Sequence, residues 1–245
     1  MTMTTQLLKP KKKRTTKNGS NGGNHRVRVA DIVINGSVHI PPWVTDHDSF
    51  RRWAFSDSFP ERGRFAFLAG KLWVDLSMEN IVHNQIKTII TVVLGSIVVN
   101  ESLGMFLVDG MLLTQRLIGM SNEPDAMFVS NASLASGVAA LKKGDKSMEL
   151  TGAADMALEV VSKSSVDKDM GDLMSLYAKA GIAEYWIVDS TVEMPELEIY
   201  RLVSGKYGAA RKHDGWVKSN VFSRSFRLTS KKDAQGLSQF NLETK

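Results

Sequence analysis

Apolar and polar positions change period several times along this chain. MALEVV, residues 156 to 161, is apolar apart from Glu159 and reads as a buried strand, and EYWIVDS, residues 184 to 190, reads as another. Between them DMGDLMSLYAKAGI has helical spacing, with Leu173, Leu176, Tyr177 and Ala180 inward and Gly181 as C-cap. A strand, a helix and a strand in that order demand a parallel crossover. Upstream, Val82, Ile86, Ile89, Ile90, Val93 and Ile97 share one stripe, which predicts a long helix to about Asn100 despite its β-branched residues. FAFLAGKLWVDLS reads as a hairpin turning at Ala69-Gly70, after a helix that carries Phe50, Trp53 and Ala54 and is capped by Asp46 or Asp48. MFLVDGMLLT and EPDAMFVS are strand-like, and Ser130 to Ser147 is a polar insertion. From Leu197 onward the pattern is that of a C-terminal β-meander with a turn at Ser204-Gly205. The fold class is therefore mixed α/β (α+β), with structure beginning near Val38 and no internal repeat.

With 245 residues and 43% hydrophobic content, the chain is expected to bury one good core, a single domain over residues 29 to 245. Residues 1 to 28 are polar and Gly/Asn-rich and hold eight basic residues and no acidic one, so they are expected to be a disordered basic tail. Taking those eight from the 31 basic residues leaves 23 against 26 acidic ones, a formal charge of −3 on residues 29 to 245. The high pI belongs to the tail, and the remainder is not a basic nucleic-acid binder by charge. KPKKKR within the tail reads either as a DNA-attracting arm or nuclear-localisation-like string, or as a solubilising tail without a specific partner. The absence of cysteine excludes disulfides and thiolate zinc sites and fits a reducing, cytoplasmic setting. No signal peptide is read at the start, and the most apolar window, Ile86 to Val99, is shorter than the roughly 20 residues of a membrane span.

Two carboxylates carry the candidate chemistry. Glu159 lies inside one apolar strand and Asp125 at the start of another. An ionised carboxylate in such a setting costs several kcal/mol unless it is paired, protonated or bound to a cation, roughly the penalty of burying any lone charge. If the two strands are sheet neighbours, the carboxylates converge, and a divalent cation between them relieves their repulsion. Oxygen ligands without cysteine favour Mg²⁺ or Mn²⁺ over zinc. On spacing alone the plainer alternative stands beside this one: Asp125 caps a turn after Pro124, and Glu159 pairs with a nearby lysine. Tyr185, Trp186 and Trp73 read as core residues, Asp167 and Asp169 as helix N-caps, Ser162 as a partner of the site's backbone and Asp189 as the cap of the turn before Thr191.

SNEPDAMFVS, then DMALEVVSKSSVDKDMGDLMSLYAKAGIAEYWIVDS, then LEIYRLVSGKYG, together with ERGRFAFLAGKLWVDLSMENIVHNQ and the closing VFSRSFRLT, resemble the Uma-type restriction endonuclease family, a branch of the PD-(D/E)XK nucleases. The resemblance extends over most of residues 38 to 245. It implies a restriction-endonuclease-like core, a mixed sheet flanked by helices, with Asp125 and Glu159 as metal ligands for DNA phosphodiester hydrolysis. The superfamily lysine two residues after the Glu is replaced here by Val161, and the migrated position on the following helix aligns with Leu173. Lys163 and Lys168 are the substitutes read from the sequence, with Lys168 preferred because its long side chain can swing back over the strand ends. The resemblance also puts His83 on the first long helix facing the site, with Glu79 one turn earlier, where either residue alternatively has only a helical role. The expected function is that of a Mg²⁺-dependent endonuclease acting on DNA. The alternatives are a non-catalytic DNA-holding or interaction module on the same fold, and a homodimer or larger homo-oligomer built through the C-terminal strands.

Overall fold

Met156–Val161 forms β12 of the computed structural model, and all six of its residues are buried. Alternation along the strand divides its side chains between two cores. Met156, Leu158 and Val160 face one core, while Ala157 and Val161 face the other, and Glu159 shares their parity. The structure describes residues 3–6, 32–34 and 38–245. Its elements in chain order are β1 Met3–Gln6, β2 Ile32–Ile34, β3 Val38–Ile40, α1 His47–Ala54, β4 Arg64–Leu68, β5 Lys71–Asp75, α2 Ile81–Asn100, β6 Gly104–Val108, β7 Leu112–Gln115, β8 Met120–Asn122 and β9 Ala126–Ser130. They continue through α3 Asn131–Ser136, β10 Ala139–Ala140, β11 Glu149–Gly152, β12, α4 Leu173–Ala180, β13 Glu184–Asp189, β14 Leu197–Val203, β15 Lys206–Ala209, β16 Lys212–His213, β17 Trp216–Ser219, β18 Arg224–Lys232 and β19 Ser238–Thr244.

A six-stranded sheet, ordered β15-β14-β13-β12-β9-β6, carries the candidate carboxylates. β12 and β13 run parallel, as the strand, helix, strand pattern requires, and β9 pairs antiparallel with β12. Helix α2 packs its Ile86, Ile90 and Leu94 on one face of this sheet with Leu158, Val160 and Trp186. Leu173, Leu176 and Tyr177 of α4 cover the other face, in a core shared with Leu68, Trp73 and Leu113 of a second, seven-stranded sheet. That sheet is ordered β1-β5-β4-β8-β7-β11-β10, with β7 and β11 parallel. Its hairpin turns at Ala69 and Gly70, both with positive φ (49° and 89°), the backbone that a two-residue primed turn needs. Phe50 and Trp53 of α1 close a third core against Phe65, Phe67 and Leu72, and α1 starts with a capping box between Asp46 and Ser49.

The mixed class and the flanked mixed sheet agree with the expectation; several details differ. Met3–Gln6 pairs with β5 and Ile32–Ile34 with β3, so ordered strands occur before Val38 and within the first 28 residues; the rest of the expected tail lies outside the described residues. The polar insertion contains α3 and β10. The C-terminal meander divides, because β14 and β15 extend the six-stranded sheet while β16 to β19 form a four-stranded sheet of their own. Asp167 and Asp169 make no N-cap: Asp167–Asp172 winds as a π-helix that has no side-chain cap and leads into α4. By length and composition alone α2 is apolar enough to cross a membrane; in the fold its inner stripe is core.

Glu184 fastens the C-terminal sheet to β13. It is buried, and its carboxylate accepts from Trp186 Nε1 (3.0 Å), Ser219 Oγ (2.6 Å) and the Asn220 backbone N–H (2.5 Å). Glu184→Ala leaves these donors unpaired, so urea unfolding is expected to show a loss of about 3 kcal/mol; a midpoint equal to wild type would remove Glu184 as the fastener.

Candidate active site

The register of β9 against β12 sets Ala126 opposite Leu158. Asp125 and Glu159 therefore sit one step further along, on neighbouring strands and the same end of the pair, as their sequence settings suggested. Asp125 Oδ2 accepts the Val160 backbone N–H at 2.7 Å, which fixes its carboxylate against the strand that carries Glu159. Glu159 Oε1 accepts from Asn122 Nδ2 at 2.9 Å and from the Tyr177 hydroxyl at 3.0 Å, and Asn122 also reaches that hydroxyl at 2.7 Å. Its other oxygen lies 3.6 Å from Lys168 Nζ. The lysine that the sequence favours is thus brought to Glu159, whereas Lys163 is exposed and Leu173 and Val161 are buried in the core.

The N-terminus of α2 supplies the remaining groups. Asn80 caps the helix by accepting the His83 N–H at 2.9 Å, so the first turn leaves Glu79 just ahead of the helix and His83 one turn inside it. His83 is buried, with Nδ1 3.2 Å from Glu79 Oε2 and Nε2 3.8 Å from Asp125 Oδ2, and neither ring nitrogen makes a hydrogen bond. Lys87, a further turn along, contacts Glu79 (2.8 Å), Asp109 (2.6 Å) and Asp125 (3.2 Å). Arg64 pairs with Glu79 from β4. Of these, sequence reasoning missed Lys87, Asp109, Asn122, Tyr177 and Arg64. The signal for Lys87 was present: it lies four residues after His83 and eight after Glu79, on one helix face. Ser162 bonds to Ser164 and Ser165 through its hydroxyl, not to the site's backbone.

Burial governs the electrostatics. Desolvation pushes the Glu159 carboxyl well above the ordinary 4.5, against the pull of Lys168, with Asp169 and Asp125 adding to the rise. Burial alone would discharge Lys168, but Asp169 and Glu159 outweigh it and hold the ammonium above the ordinary lysine range. The same contest at Lys87 is won by Asp125, Asp109 and Glu79. Carboxyl groups (Glu79, Asp109, Asp125, Glu159, Asp169) and cations (Arg64, Lys87, Lys168) alternate through the cluster. Glu79, His83 and Asp125 offer ligand atoms within 4.8 Å of one another. Hard carboxylate oxygens and an imidazole whose buried nitrogens lack hydrogen-bond partners together fit one hard divalent cation. Beside them a recess lined by Arg64, Trp73, Asp75, Asn122, Ser164 and Lys168 has a volume of about 20 Å³, enough for one water-sized guest.

The family model for Uma2, described as "Putative restriction endonuclease", matches residues 47–230. The chain belongs to the Uma2 family. No curated protein matches it. Among solved structures, a putative nuclease belonging to DUF820 from Anabaena variabilis ATCC 29413 is similar in fold, with a TM-score of 0.55, 17% sequence identity, and coverage of 73% of this chain and 90% of that one. The matched span of this Uma2 chain includes every residue of the cluster, from Arg64 and Glu79 to Tyr177.

The raised Glu159 pKa has a sign that can be checked. Above about pH 4.5 the unfolded chain has lost the proton that folded Glu159 still holds, so stability falls as pH rises toward the folded pKa. Urea midpoints in chelator are expected to decline over that range for wild type and to decline less for Glu159→Gln; parallel profiles would place the pH dependence elsewhere.

Proposed function

We propose that this protein is a Mg²⁺- or Mn²⁺-dependent endonuclease that hydrolyses DNA phosphodiester bonds. The observation that carries the reading is the convergence of Asp125 and Glu159 from adjacent strands, with Lys168 Nζ 3.6 Å from the Glu159 carboxylate. Asp125 would hold the metal together with Glu79 and His83, whose ligand atoms lie close to one another, and Glu159, which stands outside that group, would complete the donor set from the neighbouring strand. When bound, such a cation supplies an activated water and neutralises charge on the phosphodiester.

The chain's own groups have separable tasks. Asn122 and Tyr177 fix Glu159 by donating to a single oxygen, which leaves the other turned toward Lys168. Lys168 holds the attacking water and offsets negative charge building on the phosphate; its ammonium stays protonated because two carboxylates face it. His83, with its ring between Glu79 and Asp125, orients these carboxylates or accepts a proton from water. The recess beside Lys168 admits a water-sized molecule. In this reading residues 29 to 245 form one nuclease domain, and the basic residues before Val29 raise the rate of encounter with DNA.

Val161, buried where the superfamily lysine is expected, favours a second reading, a DNA-holding module without catalysis. Cleavage of supercoiled plasmid separates the two. Wild type is expected to cut with Mg²⁺ or Mn²⁺ and not in chelator, and Asp125→Asn or Glu159→Gln to lower the rate by about a hundredfold or more. Retained DNA binding without cutting under either metal would favour the second reading.

A further inference from the structure

The turn ahead of α4 carries a buried ion pair that sheet geometry alone does not require. Lys168 Nζ lies 2.7 Å from Asp169 Oδ1, and the two side chains are 13% and 2% exposed. Burying both partners of an ion pair costs several kcal/mol in desolvation, roughly as much as their attraction returns. Apolar residues would cover this corner of the core as well or better. The pair sits in the π-helical segment Asp167–Asp172, where the Leu173 N–H bonds to the Lys168 carbonyl in an i to i+5 step. On an α-helix, neighbouring side chains diverge by roughly 100°. Within the π turn the adjacent Lys168 and Asp169 side chains are both largely buried and in contact, and such turns recur at functional sites.

Asp169 is itself pinned. Its backbone N–H donates to the Ser165 carbonyl at 2.8 Å, and its carbonyl accepts the Tyr185 hydroxyl at 2.9 Å. The Asp169 carboxylate therefore hangs by a short side chain from a fixed backbone, while Lys168 is a long chain with several rotatable bonds. Without that carboxylate the ammonium has a free choice between the site and solvent.

We propose that Asp169 is a positioning residue that, through the π turn, holds the Lys168 ammonium beside Glu159. Its functional consequence rests on the nuclease reading above; the positioning does not. The test uses the full chain and two readouts. Reductive methylation of metal-free protein, mapped by mass spectrometry, reports whether Lys168 is held. In wild type Lys168 is expected to resist labelling; in Asp169→Asn it is expected to label about tenfold faster, and Asp169→Glu to recover part of the protection, an order of magnitude being the scale of one lost charged contact. Plasmid cleavage is expected to show kcat for Asp169→Asn down about tenfold with KM nearly unchanged, the signature of a group that matters in the transition state.

Lys168→Met/Asp169→Asn guards against misfolding, because it removes both buried charges together. If Asp169 acts through Lys168, this double variant cuts no more slowly than Lys168→Met alone. A folded Asp169→Asn protein that keeps Lys168 protected and kcat at the wild-type value would overturn the proposal, as would a double variant whose losses multiply. A wild type that cuts nothing under either metal, with Lys168 protected until Asp169 is changed, would remove the nuclease reading and leave the positioning intact.

Discussion

A carboxylate in the middle of a fully buried strand is the constraint around which this molecule is arranged. Glu159 lies with Ala157 and Val161 on the α4 face of β12, between two sheets. A lone charge there would be intolerable, so three elements are committed to it: β8 through Asn122, α4 through Tyr177 and the π turn through Lys168. Those contacts also set the relation of the seven-stranded sheet to the six-stranded one, because Asn122 comes from the former and Glu159 from the latter. The polar network and the apolar packing of Trp73, Leu173 and Tyr177 occupy the same interface.

Much of the fold was legible because its signals are local. The apolar runs on either side of Ala69-Gly70, the stripe from Val82 to Ile97 and the Gly181 stop each correspond to an element within a residue or two. The parallel crossover followed from handedness and connection length and needed no tertiary information. The π turn was not legible: DMGDLMSLYAKA fits an α-helix as well, and only the burial of Asp169 beside Lys168 selects the wider winding. Asp46 and Gly181 cap as read, but Asp169 was misjudged as a cap for the same reason, since an aspartate before a helix has the same sequence signature whether it bonds to free N–H groups or turns into a core.

The site divides along similar lines. Asp125 and Glu159 were visible as charges in apolar strands, and His83 and Glu79 by resemblance, with Lys168 as the preferred lysine. Asn122 and Tyr177 were not, because an asparagine ending a short strand and an inward tyrosine acquire meaning only when strand pairing brings them to the same oxygen. Lys87 was legible only as a helical neighbour of His83 and Glu79. Its role emerges from Asp109, in the turn between β6 and β7, which meets it from outside the helix. A resemblance finds the residues that match a pattern; the groups that neutralise or hold them have to be found in space.

The fastening of the C-terminal sheet through Glu184 bears on the order in which the polypeptide emerges from the ribosome. Helix α2 carries His83 and Lys87 in its first turns, just after Glu79, yet its inner stripe shares a core with Phe226, Leu228 and Leu242. Ser219 and Asn220, which lock that sheet onto β13, are likewise made after every residue of the cluster. Vectorial synthesis therefore presents the carboxylate cluster long before the packing that steadies it is complete. The nascent chain has its acidic residues early and a rigid arrangement of them only after β16 to β19 have followed.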